Sequence, residues 1–504
     1  MSLYTIEEIN EKYASYGLKN LERFSKDIIS ELKSLSNNIE SEDLTLYEDH
    51  TDKNIITIDG DRTLDIDDAI FLEKLNNLFS LTVYIADVSH YVKEGSKLDE
   101  EALKRGTSIY LPHSTLTMLP AKLCHDICSL KENKKRLTLA INMQYDKTGK
   151  LKNRRIFKAI ISSKKKMTYT KVDKLLTSHD NDVLTEYHDF KEQLFLMKDL
   201  ALILRKRRKK NHFLELNIPE FDFYIPSSFE FEDMSISLHK STIATTIIEE
   251  FMLAANFNIA EIFNNLCIPF VYRTHGMPDL NNINFELFLN PKKILKDKNC
   301  LVKVLSKKLN KSIGTKRILV SFNILNSLTS AKYSENPTGH FALNTKLYCH
   351  FTSPIRRYPD LFIHRIISEY LEKGFVDSDM IKKYQNLVPL VAHKCSEAES
   401  FAKRSSRDFE NMYIAYYMQE FIGKNFKGYV YKISKNNISV FIDNIMVTGK
   451  IKISSISDKT HTQPIFYKNQ IIFDEENIFS LYDKLTVTLI DIDKTTNTLM
   501  FEIV

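Results

Sequence analysis

The chain has 504 residues, 43% hydrophobic and 27% charged. That balance excludes a disordered, fibrous or collagen-like chain and fits a globular protein with large cores, of two to four domains. Lys and Arg exceed Asp and Glu by only five, 70 against 65, so the total charge is a weak pointer to nucleic acid and its distribution must carry more of the argument.

The opening MSLYTIEEINEKY is polar and acidic and has no signal-peptide core. Thr5 followed by Glu8 reads as a capping box, and Gly17 as a helix stop. Residues 1–50 therefore read as one or two helices and a polar connector. NIITID, DAIFLE and FSLTVYIADVSHYV, from Asn54 to Val92, are rich in β-branched and aromatic residues and read as strands. KLDEEALKRG follows as a short helix closed by Gly106. Residues 191–210 predict a helix ending in the basic run Arg205–Lys210. Ile243, Ile247, Phe251, Ala255, Ile259, Ile262 and Leu266 recur at helical spacing, which predicts a buried helix over 242–266. Pro359 marks the start of a helix over 359–372. Another is expected over 391–422, after Pro389 and before Gly423. Beyond Gly423, GYVYKIS, NISVFID, VTGKIKIS, KLTVTLIDID and TLMFEIV predict a small β-barrel of the OB type.

The six cysteines are sparse and irregularly spaced, which suits a reducing compartment. Cys124-His125-Asp126-Ile127-Cys128 has the look of a zinc half-site, but no second Cys/His pair follows at suitable spacing. No stretch approaches the ~18 uninterrupted apolar residues of a membrane span. The expectation is an intracellular protein, read as cytoplasmic with nucleus or organelle left open, and no membrane partner.

One stretch concentrates charge. TIDGDRTLDIDD, residues 57–68, holds five aspartates and one arginine. Carboxylates this close repel unless water, a basic neighbour or a metal ion compensates. Asp59 ends one extended run, and Asp65-Ile66-Asp67-Asp68 begins another. Alternation puts Asp65 and Asp67 on one face and Ile66 and Asp68 on the other. A five-residue loop, 60–64, brings Asp59 back beside them. Oxygen-only ligands suit Mg²⁺ or Mn²⁺, and four carboxylates exceed what one Mg²⁺ takes but suit a pair of ions. A solvated acidic turn is the plain alternative, which the flanking strands disfavour.

TIDGDRTLDIDDAI resembles the signature of the RNB family, the ribonuclease II, ribonuclease R and exosome-nuclease group. The resemblance continues, in order, through residues 84–120, LCHDICSL at 123–130, IIEEFMLAANFNIAE at 247–261 and YCHFTSPIRRYPDLFIHR at 348–365. It implies an α+β RNB-type catalytic domain over 51–422 and a C-terminal S-one-like OB barrel over 423–504, after a short helical segment, 1–50. It further implies a 3′→5′ exoribonuclease that uses Mg²⁺, with Mn²⁺ as the other candidate, to hydrolyse single-stranded RNA to nucleoside 5′-monophosphates. DNA would be cut poorly if the site reads the 2′-hydroxyl. Carried over by position, Asp59, Asp65, Asp67 and Asp68 match the four acidic residues, whereas Asp61 sits at a variable position. Arg356 matches the arginine on the scissile phosphate, where a guanidinium stabilises developing charge. Tyr110 matches an aromatic that stacks near the 3′-terminal base.

There are departures. Ser406 stands where the family carries a base-clamping glutamate, while Arg407 keeps the paired arginine and its RNA-binding role. Leu216 replaces an aromatic of bacterial ribonuclease II-like enzymes, and since eukaryotic relatives tolerate leucine there, it leans the subtype towards them. Residues 1–50 are too short for the family's cold-shock-type domains, so part of the RNA funnel is expected to be missing or supplied by another chain. Plainer readings stand beside these. Arg205–Lys210 reads as an RNA contact, a solvated helix end or a nuclear import signal, Glu249 and Glu250 as a site pair or a surface pair, and His364 as structural. Tyr429, Tyr431 and Phe441 read as an RNA platform or as barrel filling. The rival functions are a catalytically inactive RNA-binding paralogue and an Mg²⁺–diphosphate enzyme. The latter class is all-helical and repeats its acidic motif, which this chain does not.

Overall fold

A computed structural model describes residues 6–35, 39, 44–178, 181–225, 234–238, 241–279, 298–467 and 470–504. Seven strands form one mixed sheet: β1 (Tyr47–Asp49), β2 (Ile56–Asp59), β3 (Asp68–Leu75), β4 (Leu78–Ala86), β5 (Lys135–Tyr145), β6 (Leu151–Ser162) and β7 (Lys165–Thr168). Their order is β1-β6-β5-β4-β3-β2-β7. Asn76 and Asn77 turn β3 into β4 with positive φ at both positions, as a tight two-residue hairpin demands. Every residue of β4 after Leu78 is buried, because the strand lies mid-sheet with helices packed over it. The extended run expected to Val92 stops at Ala86. Asp87 then accepts from the His90 N–H at 3.2 Å and caps a helical turn, Val88–Tyr91.

Eight helices matter for the site: α1 (Ile6–Ser15), α2 (Lys26–Ser34), α3 (Lys97–Arg105), α4 (Lys191–Lys210), α5 (Ile243–Asn265), α6 (Gly314–Ser327), α7 (Tyr358–Lys373) and α8 (Ser378–Met418). The capping box expected at Thr5 lies outside the described residues. Gly17 has φ +69° and closes α1. Gly106 has φ +66° at the end of α3, and a Cβ there would sit 2.4 Å from the Ala398 Cβ; helix α8 lies directly against this turn.

Pro389 misleads the sequence reading. It does not precede the last helix but lies inside it, and α8 runs unbroken for 41 residues. Proline frees the carbonyl four residues earlier. Here that residue is Gln385, which is exposed, as is Pro389 itself, so water can satisfy the carbonyl.

The main core joins the sheet to α2, α3, α4, α5, α7 and the first half of α8. The second half of α8 belongs to another core. Phe409, Met412, Tyr413, Ala415 and Met418 pack with Ile9 and Tyr13 of α1 and with the interior of the barrel. The barrel closes in the order β8 (Asn425–Ile433), β9 (Asn437–Ile442), β10 (Val447–Lys452), β12 (Thr498–Ile503), β11 (Lys484–Asp493). Phe441 is fully buried and clusters with Ile318 and Leu319 of α6, and Tyr431 lies 5.2 Å from the Phe322 ring. Tyr429 packs on the same cluster. The three aromatics therefore hold the barrel onto α6 rather than forming an open platform. Among the described residues no helix is long and apolar enough to cross a membrane.

Candidate active site

Strand β2 delivers Asp59 at its last position, and the ladder resumes only at Asp68, the first residue of β3. The stretch 60–67 is a loop pinned from several sides. Ser129 Oγ donates to the Leu64 carbonyl at 2.7 Å and accepts from the Ile66 N–H at 3.2 Å. Lys166 Nζ donates to the Thr63 carbonyl at 2.7 Å. Ile66 is buried in the main core and acts as the apolar pin between Asp65 and Asp67. Because regular alternation begins only at Asp68, that residue does not point away from Asp65 and Asp67 as strand periodicity suggested. All four aspartates, 59, 65, 67 and 68, line one cavity of about 440 Å³.

Arg356 enters the same cavity from the loop before α7. Its Nε lies 3.6 Å from Asp67 Oδ2, and its Nη2 donates to Ser353 Oγ at 3.0 Å. Tyr110 closes another side; its ring is exposed and its hydroxyl donates to Asp65 Oδ2 at 3.2 Å. Helix α5 contributes Glu249 and Asn256 to the wall. Thr168, the N-cap of the Tyr169–Thr177 helix, places Tyr169 at its rim. A larger chamber of about 970 Å³ opens alongside, sharing Thr63, Asp65, Tyr110 and Tyr169 and bordered by Phe223 and Tyr224.

Other expected residues fall elsewhere. Asp61 lines the larger chamber, not the aspartate cavity. Arg407 is exposed on α8, near enough to Glu410 to pull on its carboxyl, and lines neither cavity. Ser406 Oγ donates to the Tyr110 carbonyl at 2.7 Å, so the serine touches the candidate stacking residue through its backbone. Leu216 packs on an apolar cluster with Leu301, Val302 and Val320. Within the basic run, Arg208 is committed to Glu250, at 2.6 Å, and Glu249, at 2.9 Å, while Arg205 pairs with Glu215 and Glu249. His364 is fully buried with Nε2 at 2.8 Å from the Phe351 carbonyl, a structural position. Sequence reasoning did not single out Tyr169 or Asn256. Asn256 lies within the motif at 247–261; Tyr169 carries no signal beyond following a capping threonine.

The electrostatics show what the cavity lacks. Burial pushes the Asp67 carboxyl up to about 8, against the pull of Arg356 and the Ile355 N–H. Burial also raises Asp59, with Lys166 opposing and Asp65 adding to the rise. Asp68 is raised well above the ordinary range by burial and by repulsion from Asp59 and Asp67. Buried acids in this state are short of positive charge. Asp59 Oδ2 is buried and has no hydrogen-bond partner among the described residues. Among those residues no three His, Cys, Asp or Glu side chains stand so that they alone could hold an ion. The donors are all hard oxygens in an open set. Mg²⁺ is held in this way, by one or two protein carboxylates with water and phosphate completing the shell. The residues fit a hard divalent cation.

Residues 47–373 match the RNB domain. The chain belongs to the RNB family. It is 37% identical over 489 residues to ribonuclease R of Thermotoga maritima, covering 94% of this chain and 67% of that protein. It is 32% identical over 441 residues to ribonuclease R 1 of Lactococcus lactis, covering 86% of this chain and 53% of that protein; both relatives are bacterial, against the eukaryotic lean read from Leu216, whose side chain serves local packing. Among solved structures, Mycoplasma genitalium RNase R in complex with ribose-methylated single-stranded RNA superposes with a TM-score of 0.85 at 27% identity. That match covers 97% of this chain and 77% of the other.

Proposed function

We propose that this chain is a 3′→5′ exoribonuclease, a hydrolase that shortens single-stranded RNA and releases nucleoside 5′-monophosphates by a two-metal mechanism. The observation that carries the proposal is the convergence of Asp59, Asp65, Asp67 and Asp68 with Arg356 on one cavity. Its likeness to ribonuclease R from several bacteria supports the same reading.

Asp59, Asp65, Asp67 and Asp68 would hold Mg²⁺ or Mn²⁺. When bound, such ions supply Lewis-acid stabilisation of phosphoryl charge and a water activated near neutral pH. The chain's own residues do the rest. Arg356 presents guanidinium N–H groups to the phosphate, where charge grows as the bond breaks. Tyr110 offers a face to a terminal base without regard to its identity. The neighbouring chamber, with Tyr169, Phe223 and Tyr224 on its walls, suits an unpaired strand better than a duplex, because bases must be splayed to stack.

The test uses 5′-labelled single-stranded RNA with Mg²⁺, an EDTA control and Asp67→Asn alongside. The expected result is a metal-dependent ladder shortening from the 3′ end, absent in the variant. Binding without shortening by the wild-type chain would instead support an inactive RNA-binding paralogue.

A further inference from the structure

Arg356 reaches the cavity from residues 351–357, which lie outside any helix or strand. A long side chain on such a loop keeps a fixed direction only if neighbours pin it. Hydrogen bonds pin the loop at several points. The Phe351 N–H donates to Asn256 Oδ1 at 2.9 Å. The Ser353 N–H donates to Asp360 Oδ1 at 2.8 Å, and Arg357 Nη2 donates to the same oxygen at 2.6 Å. The Arg356 carbonyl accepts from the Ser108 N–H at 2.9 Å and from Thr107 Oγ1 at 3.0 Å.

The guanidinium has far less. Its approach to Asp67, 3.6 Å, is too long for a hydrogen bond. The hydrogen bond that orients it is the one to Ser353 Oγ. Ser353 is itself buried, and Asp360 behind it is wholly buried. The order of support is thus Asp360 to the Ser353 backbone, and the Ser353 hydroxyl to Arg356. A guanidinium carries five N–H donors in a fixed fork. Anchoring one at Ser353 sets the plane and leaves the others for a phosphate.

We infer that Ser353 is a positioning residue for Arg356, held in turn by Asp360; the inference rests on the exoribonuclease reading. It makes the serine hydroxyl, rather than the local packing, the determinant of how well Arg356 serves the phosphate.

A double-mutant cycle tests this. Single-turnover rates on labelled single-stranded RNA with Mg²⁺ are measured for wild type, Ser353→Ala, Arg356→Ala and the double variant, with RNA affinity in EDTA and Tm for each. Ser353→Ala should slow cleavage about ten- to a hundredfold, as loss of a charge-assisted hydrogen bond does. RNA affinity should stay within about twofold, and on the Arg356→Ala background the same change should alter the rate by less than about twofold. Ser353→Thr and Ser353→Val form a near-isosteric pair that separates the hydroxyl from packing. The threonine should recover more of the rate than the valine. Equal slowing in both backgrounds, or threonine and valine behaving alike, overturns the inference. An active wild type with an unaffected Ser353→Ala overturns the inference alone. An inactive wild type overturns the functional reading and this inference together.

Discussion

The backbone N–H of Ile355 donates to Asp67 Oδ1 at 2.8 Å, across 288 residues of chain. The bond joins the aspartate loop to the arginine loop. It also fixes Asp67 in a buried place where ionisation is opposed, and the first prediction follows from that.

Burial pushes the Asp67 carboxyl up to about 8, above the ~4 of an unfolded aspartate. The folded state therefore holds more protons between those values, and stability falls as pH rises through that window. Asp67→Asn keeps an acceptor for the Ile355 N–H and removes the charge. It should raise Tm in EDTA at pH 8 while abolishing cleavage. Mg²⁺ should raise the wild-type Tm more at pH 8 than at pH 6, since binding displaces protons. Thermal scans with and without Mg²⁺ at both pH values check this; a lower Tm for the variant in EDTA would contradict it.

A second pair of groups predicts the opposite dependence. Asp87 is buried, which opposes its charge, yet Lys158 at 3.3 Å and hydrogen bonds from Ser89 and Tyr47 hold its carboxyl well below the usual range. Its contribution is present above the unfolded aspartate value and is lost as pH falls through the folded one. Tm should drop between about pH 4 and lower values. Asp87→Asn should flatten that drop and cost about 1–3 kcal/mol at neutral pH, because it leaves buried Lys158 only the exposed Glu372, at 3.7 Å. Denaturant melts at pH 7 and pH 3 read both effects.

Gly106 is the third case. A side chain there meets Ala398 at 2.4 Å and an unfavourable φ of +66°. The Gly106 carbonyl accepts from the Tyr358 N–H, two residues after Arg356. Gly106→Ala should cost about 1–3 kcal/mol and slow RNA cleavage, whereas a change confined to stability would show that the turn does not steer the arginine loop.

Arg208 gives a fourth. Its guanidinium is the ionic partner of Glu250, which is buried. Arg208→Ala should lower stability by about 3–5 kcal/mol through the stranded carboxylate. It should leave the salt dependence of RNA binding unchanged. A shallower salt slope would mean that Arg208 grips phosphate instead.

The sequence made the aspartates and Arg356 legible because each sits in a short contiguous pattern. TIDGDRTLDIDD and TSPIRRY announce their chemistry locally. The helix over Lys191–Lys210 and the five barrel strands are equally open to reading. What stayed hidden depends on contacts distant in the chain. Nothing near Ile355 says that its N–H will meet Asp67. Nothing in β8 or β9 says that α6 will cover Tyr431 and Phe441. Pro389 misled for a related reason: whether a helix tolerates proline depends on whether the freed carbonyl faces water, which is set by the packing of α8.

Helix α8 spans about 62 Å at 1.5 Å per residue, and its two halves serve different cores. A shared beam of this kind removes the modularity that the sequence boundary near 423 implies. Melting the barrel would strip Phe409, Met412 and Tyr413 of their cover while the same helix still braces the sheet. The two regions should therefore lose structure in one cooperative step, and separating them at the boundary would expose a greasy, unsupported rod instead of releasing an independent nuclease.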